Sequence, residues 1–417
     1  MSIDYFSMSD KDKEILRKLA TRQAEIAAQP VQSEKKELWY KHNALEITRP
    51  LIVCDPENGW KEIITDKDLL CEGDLARAWE FTLRREIFSG AEMKDDKVIE
   101  AIFEVALVHS DNGMGINAIF EGGGGGGAYH WDAPLKDYKD IDKLHFREIS
   151  VDAEKSAKVM ALAQEVFDGI LAVRLNTKWW WTLGMTQTLV YIRGLEQMMF
   201  DMYDYPDELH QLMAFFRDEH LNFLSVLEKN NWLSPNNDGS HVGSGGYGWS
   251  RTLPQDDFDG SHLRTKDMWG FGESQETSEV SPDMFAEFIF PYQLPILEKF
   301  GLNCYGCCEP LDARWHIIKK IPNLRRVSVS AWANKAAMAE MLGGNYVYSM
   351  KPMPTPLAYA NIDEDAVRKE LKEARAVTRD CRLELIMKDN NTIGNNPQNV
   401  IRWVEIAREE TQKGSVK

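Results

Sequence analysis

The sequence predicts an α/β fold of the (β/α)8 TIM-barrel class, with an N-terminal helical extension and an insertion after the first strand. Three observations point there. Short β-rich runs, each bounded by a turn signal, recur eight times along the chain. Segments with helical periodicity separate them from the second run onward. Alternation of that kind requires parallel pairing through crossover connections, and eight repeats are the number that closes a barrel.

Residues 1–48 carry Ile15, Leu16 and Leu19 at the spacing of one helix face and read as an extension packed on the main body, 49–417. The first run is 50–54, and the second, 169–175, follows only after more than a hundred residues, so 60–150 is expected to be an elaboration on the barrel. Within it lie an apolar segment at 98–108 and a run of glycines at 122–127, just before Tyr129-His130-Trp131. That run lacks the lysine and serine of a P-loop, and it neither follows a strand nor opens a helix, so a mobile loop is expected rather than a phosphate cradle. Six further runs are expected at 232–235, 267–272, 302–306, 324–330, 346–350 and 383–387. The helices between and after them are expected at 184–200, 206–229, 282–299, 312–320, 334–342, 363–379 and 397–410.

Composition narrows the function. Lys and Arg total 49 against 66 Asp and Glu, a net charge of −17, which argues against nucleic acid as a partner because phosphate binding needs a basic field. The chain is 43% hydrophobic and 28% charged with a mean hydropathy of −0.42, as in a globular protein. No run approaches the length of a membrane span and the opening MSIDYFSMSDKDKEIL is not a signal peptide, so no membrane contact and a cytoplasmic location are expected. The 6 cysteines are too few and too unevenly spaced for a disulfide framework.

In a barrel, reactive groups lie just past the carboxyl ends of the strands. Reading there gives Asp55, then Asn176 with Lys178 and Trp179 to Trp181, then Asn236-Asn237-Asp238, then Glu273 and Gln275. The remaining strand ends give Tyr305, Cys307, Cys308 and Glu309, then Trp332, then Lys351, and last Lys388, Asp389 and Asn391. Cys307, Cys308 and Glu309 could supply a thiolate for zinc or a general acid, with Asp389 as a further oxygen ligand, or could be small hydrophobes beside a helix cap. Asn236 to Asp238 reads equally as a turn and as a binding loop. Three adjacent indoles cannot all enter one core, so at least one of Trp179 to Trp181 is expected to face a ligand or a partner. His210, His220 and His316 stand at no metal-binding spacing.

The stretch Tyr191-Ile192-Arg193-Gly194-Leu195-Glu196, with Asp201, Asp204 and Pro206-Asp207-Glu208, resembles a helix pair of the uroporphyrinogen decarboxylase superfamily. So do Val280-Ser281-Pro282-Asp283-Met284-Phe285 and Asn396-Pro397-Gln398-Asn399-Val400, and the resemblance runs over about residues 35–412. It implies a (β/α)8 barrel. The decarboxylases themselves carry an arginine-rich motif after the first strand, where this chain reads Cys54-Asp55-Pro56-Glu57-Asn58, whose acids would repel a polycarboxylate porphyrin. The 305–310 and 388–392 segments look like those of the substrate-demethylating components of anaerobic aryl O-demethylases of the veratrole and vanillate type.

That likeness implies transfer of a methyl group from a methoxylated aromatic to the cobalt of a cobalamin carried by a separate corrinoid protein, since the base-off cobalamin motif Asp-x-His-x-x-Gly is absent here. Glu309, Tyr305, Lys388 and Asp389 are then the catalytic candidates. Asn176, Trp179, Trp180, Asn236, Asp238, Glu273, Gln275, Trp332 and Asn391 are the substrate-binding candidates. In the methylamine and methanol branch, zinc sits on a His-x-Cys motif and a later Cys. Here those places read Tyr305, Cys307 and Asp389, so zinc on Cys307, Cys308 and Asp389 stays open. A zinc-dependent transferase acting on a methylated amine or thiol, and a non-catalytic ligand-binding barrel, are the alternatives; a homodimer is also open.

Overall fold

The computed structural model describes residues 7–123 and 128–412. Its strands, in chain order, are β1 (Leu51–Cys54), β2 (Ile102–Val105), β3 (His109–Asp111), β4 (Ile119–Gly122), β5 (Tyr129–Asp132) and β6 (Ile149–Val151). They continue with β7 (Ala172–Leu175), β8 (Trp269–Gly272), β9 (Leu302–Tyr305), β10 (Leu324–Val329), β11 (Val347–Met350) and β12 (Arg382–Met387). Six of them form one parallel sheet in the order β1-β12-β11-β10-β9-β8, so the first strand pairs with the last. β2 and β7 make a second parallel pair, and β3 with β6 and β4 with β5 pair antiparallel. The molecule is an α/β protein with a barrel-like set of parallel strands.

Eight strands therefore run parallel, but they are not the eight expected. Residues 232–235 form no strand. Pro235 has no N–H to donate, and the segment bonds through side chains instead. Ser234 Oγ accepts from Thr177 N at 2.9 Å, and the Asn236 amide both donates to Trp269 O and accepts from Trp269 N, at 2.9 Å each. The missing strand is β2, inside the supposed elaboration. It shows the alternation of a half-covered strand, with Phe103 and Val105 buried and Glu104 exposed, but over too few residues and with no glycine or proline turn marking its ends.

The strand ladder is interrupted in two places. Beside β1, the carboxylates of Asp96 and Asp95 accept from Ile52 N at 2.8 Å and Cys54 N at 3.0 Å, where a neighbouring strand would otherwise bond. Between β7 and β8 the Asn236 amide performs the same service.

The helices expected at 184–200 and 282–299 are each broken in two. The first splits at Gly194, whose φ of +91° is outside the helical range, into Thr186–Arg193 and Leu195–Asp204. The second splits at Ile289 into Pro282–Phe288 and Phe290–Leu297, because the Pro291 ring collides with the carbonyl four residues back. The N-terminal helix Pro30–Asn43 sends Trp39, His42 and Asn43 against the amino-terminal halves of the strands. There Glu384 of β12 takes Arg326 Nε of β10 at 3.0 Å and His42 Nε2 at 3.2 Å, while Arg326 donates to Asn43 Oδ1 at 2.7 Å.

The glycine-rich segment 239–248 enters this interior. A Cβ on Gly246 would lie 2.5 Å from the Trp39 ring, and one on Gly243 2.1 Å from Phe271, so only glycine lets the backbone approach. The glycine run of 122–127 joins β4 to β5, with Gly123 N donating to Ala128 O at 3.0 Å; the loop expected there falls on 124–127, outside the described residues. Among the described residues no helix is long and apolar enough to cross a membrane.

Candidate active site

The interruption between β7 and β8 opens into a cavity of about 370 Å³, within the size range of small-molecule sites. Its walls are Asn176 to Trp181, which follow β7; Ser234 to Asn236; Ser240 to Gly243; and Met268, Trp269 and Phe271 on and before β8. Four of those side chains are indoles. Trp179 is oriented by a hydrogen bond from its Nε1 to Trp232 O at 2.8 Å, Trp180 packs edge-on to Phe223 and Phe300, and Trp181 packs edge-on to Phe271. Among the described residues of the wall Lys178 is the one Lys, Arg, Asp or Glu, and burial pushes the His241 imidazole down to about pKa 4 and leaves it neutral at pH 7.

A second group of candidates gathers at the carboxyl ends of β9 and β12. Cys307 Sγ lies 3.6 Å from Cys308 Sγ and 3.9 Å from Lys388 Nζ, and Asp389 lies 3.8 Å from Cys308 Sγ and 3.4 Å from Lys388 Nζ. The cysteine–glutamate and lysine–aspartate stretches therefore do converge. The hydrogen bond from Cys308, then burial, pushes the Cys307 thiol up. Burial works to lower the Lys388 ammonium, but Cys307, Asp389 and Glu57 outweigh it and hold it above its usual range. At neutral pH Cys307 is thus a thiol and Lys388 an ammonium.

In fold the chain is similar to a methyltransferase from Methanosarcina mazei. The TM-score is 0.50 at 12% sequence identity, and the likeness covers 90% of this chain and 98% of that one. At that identity it speaks to the fold alone. No protein-family model matches the sequence, and no curated protein matches it.

The remaining candidates are dispersed. Glu309 is fully buried, its Oε1 accepting from Ser274 N and its Oε2 from Cys307 N, both at 2.9 Å, so it braces the end of β8 against the end of β9. Burial raises its pKa. Glu273 is buried beside it and is pushed well up by burial and then by Glu276 and Glu309, while Gln275 N donates to Glu273 Oε2 at 2.9 Å. Tyr305 turns into the layer between sheet and helices, where its hydroxyl donates to Gln293 Oε1 at 2.7 Å. Trp332 is 72% exposed, Asn391 accepts from Asn58 near the surface, and Asp238 pairs with Arg174 at 2.8 Å.

The donors present do not make up a metal centre. Among the described residues no group of three or more His, Cys, Asp or Glu side chains is placed to hold an ion, and the cation nearest Cys307 and Asp389 is the Lys388 ammonium itself. Two cavity residues received no role from the sequence. Lys178 stood at a strand end but beside three more conspicuous tryptophans. His241 lies in the glycine-rich 239–248 segment, and the density of glycines there is the signal that this backbone approaches other groups closely.

Proposed function

We propose that this protein is a methyltransferase that takes the methyl group of a methoxylated aromatic and delivers it to the corrinoid of a separate protein. The observation that carries this reading is the cavity after β7. Its indoles offer flat apolar faces, Asn176 and Asn236 offer amides, and Lys178 is its single charge. The corrinoid, when docked, supplies the cobalt that accepts the methyl group.

This chain's own contribution has three parts. Trp179, Trp180 and Trp181 hold the ring and exclude water from the ether. Lys178 Nζ stabilises the phenolate oxygen as the methyl carbon leaves it, and donates a proton to that oxygen. His241, being neutral, hydrogen-bonds at the polar edge without adding charge. The Lys388 cluster serves as a braced wall behind Phe271 and Val242, which pack with Cys307.

A methylammonium donor fits this cavity less well, because a cation there would meet Lys178 and no carboxylate. The test mixes the purified chain with a reduced corrinoid protein and a set of methoxybenzenes, following the corrinoid absorbance and the released phenol. The reading expects both signals together, and both slowed by about 100-fold in Lys178→Met. Phenol release from none of the ethers would sink it, and arene binding without release would favour a ligand-binding barrel.

A further inference from the structure

The opening of the ladder between β1 and β2 holds a second cavity, of about 250 Å³, whose acids, Asp55 among them, match its lysines and arginines in number. A third, of about 300 Å³, lies by the amino-terminal end of β1, away from the strand ends where the candidate site residues gather. There the charges do not match. The wall is drawn chiefly from the helix Pro30–Asn43, the residues on either side of Met93 and the closing helix Gln398–Gln412. It carries four cations, Lys35, Arg49, Lys94 and Arg408, against two acids, Glu34 and Asp96, in a chain whose net charge is −17.

Asp96 has no oxygen to spare. Its Oδ1 accepts from Arg49 at 2.7 Å and Arg408 at 3.0 Å, and its Oδ2 from Arg49 and from Ile52 N, both at 2.8 Å. Asp95, just behind the wall, is engaged by Cys54 N and Lys97 N, each at 3.0 Å. Glu34 is exposed to solvent. Lys35 is 6% exposed and makes no ion pair among the described residues; its ammonium donates to Lys97 O at 3.2 Å, which leaves two further N–H groups to place. Burial lowers its pKa. Asp95 and Asp96 pull it back, Arg408 and Arg49 lower it again, and the lowering prevails. With Asp95 counted, four cations still face three carboxylates. A buried ammonium crowded by two guanidinium groups is a place of positive potential that an anion would relieve.

The shape of the wall selects the anion. Lys35 and Lys94 stand on different elements, and Lys94 is exposed with no ion pair among the described residues. A carboxylate offers two oxygens in one plane, whereas a phosphoryl group offers three or four around a tetrahedron and can answer donors arriving from separate directions. Val31 and Leu38 complete the wall with apolar surface.

We propose that this cavity binds a phosphoryl group, as inorganic phosphate or as the head of a small phosphomonoester, through Lys35 and Lys94. Bound there, the anion ties the helix Pro30–Asn43 to the 94–96 segment, whose two aspartates take the place of a neighbouring strand beside β1. The site goes beyond the methyl transfer proposed above and does not depend on it.

Isothermal titration of the full chain with sodium phosphate and with glycerol 3-phosphate, each against sodium chloride at matched ionic strength, tests it. The expected result is a dissociation constant of about 1 mM or tighter for at least one of them, weakened at least about tenfold in Lys35→Met and several-fold in Lys94→Gln. The same anion should raise the thermal midpoint of the wild type and leave that of Lys35→Met unmoved. Lys94→Gln, at an exposed position, carries the test should Lys35→Met fail to fold. Tighter binding of glycerol 3-phosphate makes an ester the occupant, and phosphate binding as tightly or more so makes it the free anion; either upholds the site. Binding of neither up to about 10 mM, affinity that survives in both variants, or an effect that chloride reproduces would overturn the proposal.

Discussion

Lys178 and His241 meet in one cavity with opposite electrostatic fates, and each makes a separate prediction. Lys178 is exposed in the cavity wall, and Lys178→Met is expected to slow methyl transfer by about 100-fold while arene affinity changes little, read as a fall in kcat at nearly constant KM. His241 is held near pKa 4 by burial, with Asp55 only partly offsetting it, against about 6.5 for the unfolded chain. Between those values the unfolded chain binds the extra proton, so this residue's share of stability is complete above pH 6.5 and lost as pH falls toward 4. The share is on the order of 3 kcal/mol. His241→Gln should flatten that slope in urea melts taken at pH 7, 5.5 and 4.5; an unchanged slope would put the titration elsewhere. Asn176 and the tryptophans line this cavity just past β7, where the strand-end rule points, whereas Asn236 lines it from a segment that is not a strand. The sequence offered no way to choose Lys178 over Lys388, since the two lysines differ only in what surrounds them after folding.

Elements show where periodicity suffices and where it does not. β1, β7 to β12 and the long helix Pro206–Lys229 were legible because each repeats its pattern over enough residues, or sits between clear turn signals. β2 was not, and 232–235 imitated a strand by composition alone. The difference lies in hydrogen bonding. A strand is defined by what pairs with it, and at 232–236 the pairing partner of β8 is a side-chain amide. Asn236→Leu should therefore leave both the N–H and the C=O of Trp269 without their partner, at a cost of about 2–3 kcal/mol. Urea unfolding would show that loss, and amide exchange at Trp269 should quicken by more than at β10. Equal protection at Trp269 in the variant would mean that another group closes the gap.

At the scale of the whole molecule, the six-stranded sheet carries a buried charge network. Glu384 and Arg326 are wholly buried, and Arg326, His42 and Lys351 hold the Glu384 carboxyl well below the usual range against the burial that works to raise it. Glu384→Leu would leave the Arg326 guanidinium buried and uncompensated, and is expected to destabilise the fold by about 3–5 kcal/mol, measured as a lowered denaturation midpoint. A double change, Glu384→Leu with Arg326→Met, should recover most of it. From the sequence alone came the α/β class, the count of parallel strands, the helical N-terminus and the face on which the polar and aromatic residues gather. All of these follow from local periodicity and from the rule that strand ends carry the reactive groups. Only the tertiary structure decided that β2 and not 232–235 is a strand, that the ladder is open at two places, and that cavities lie in those openings. Those facts depend on contacts between residues far apart in the chain, and the pattern of neighbours along a sequence carries no record of such contacts.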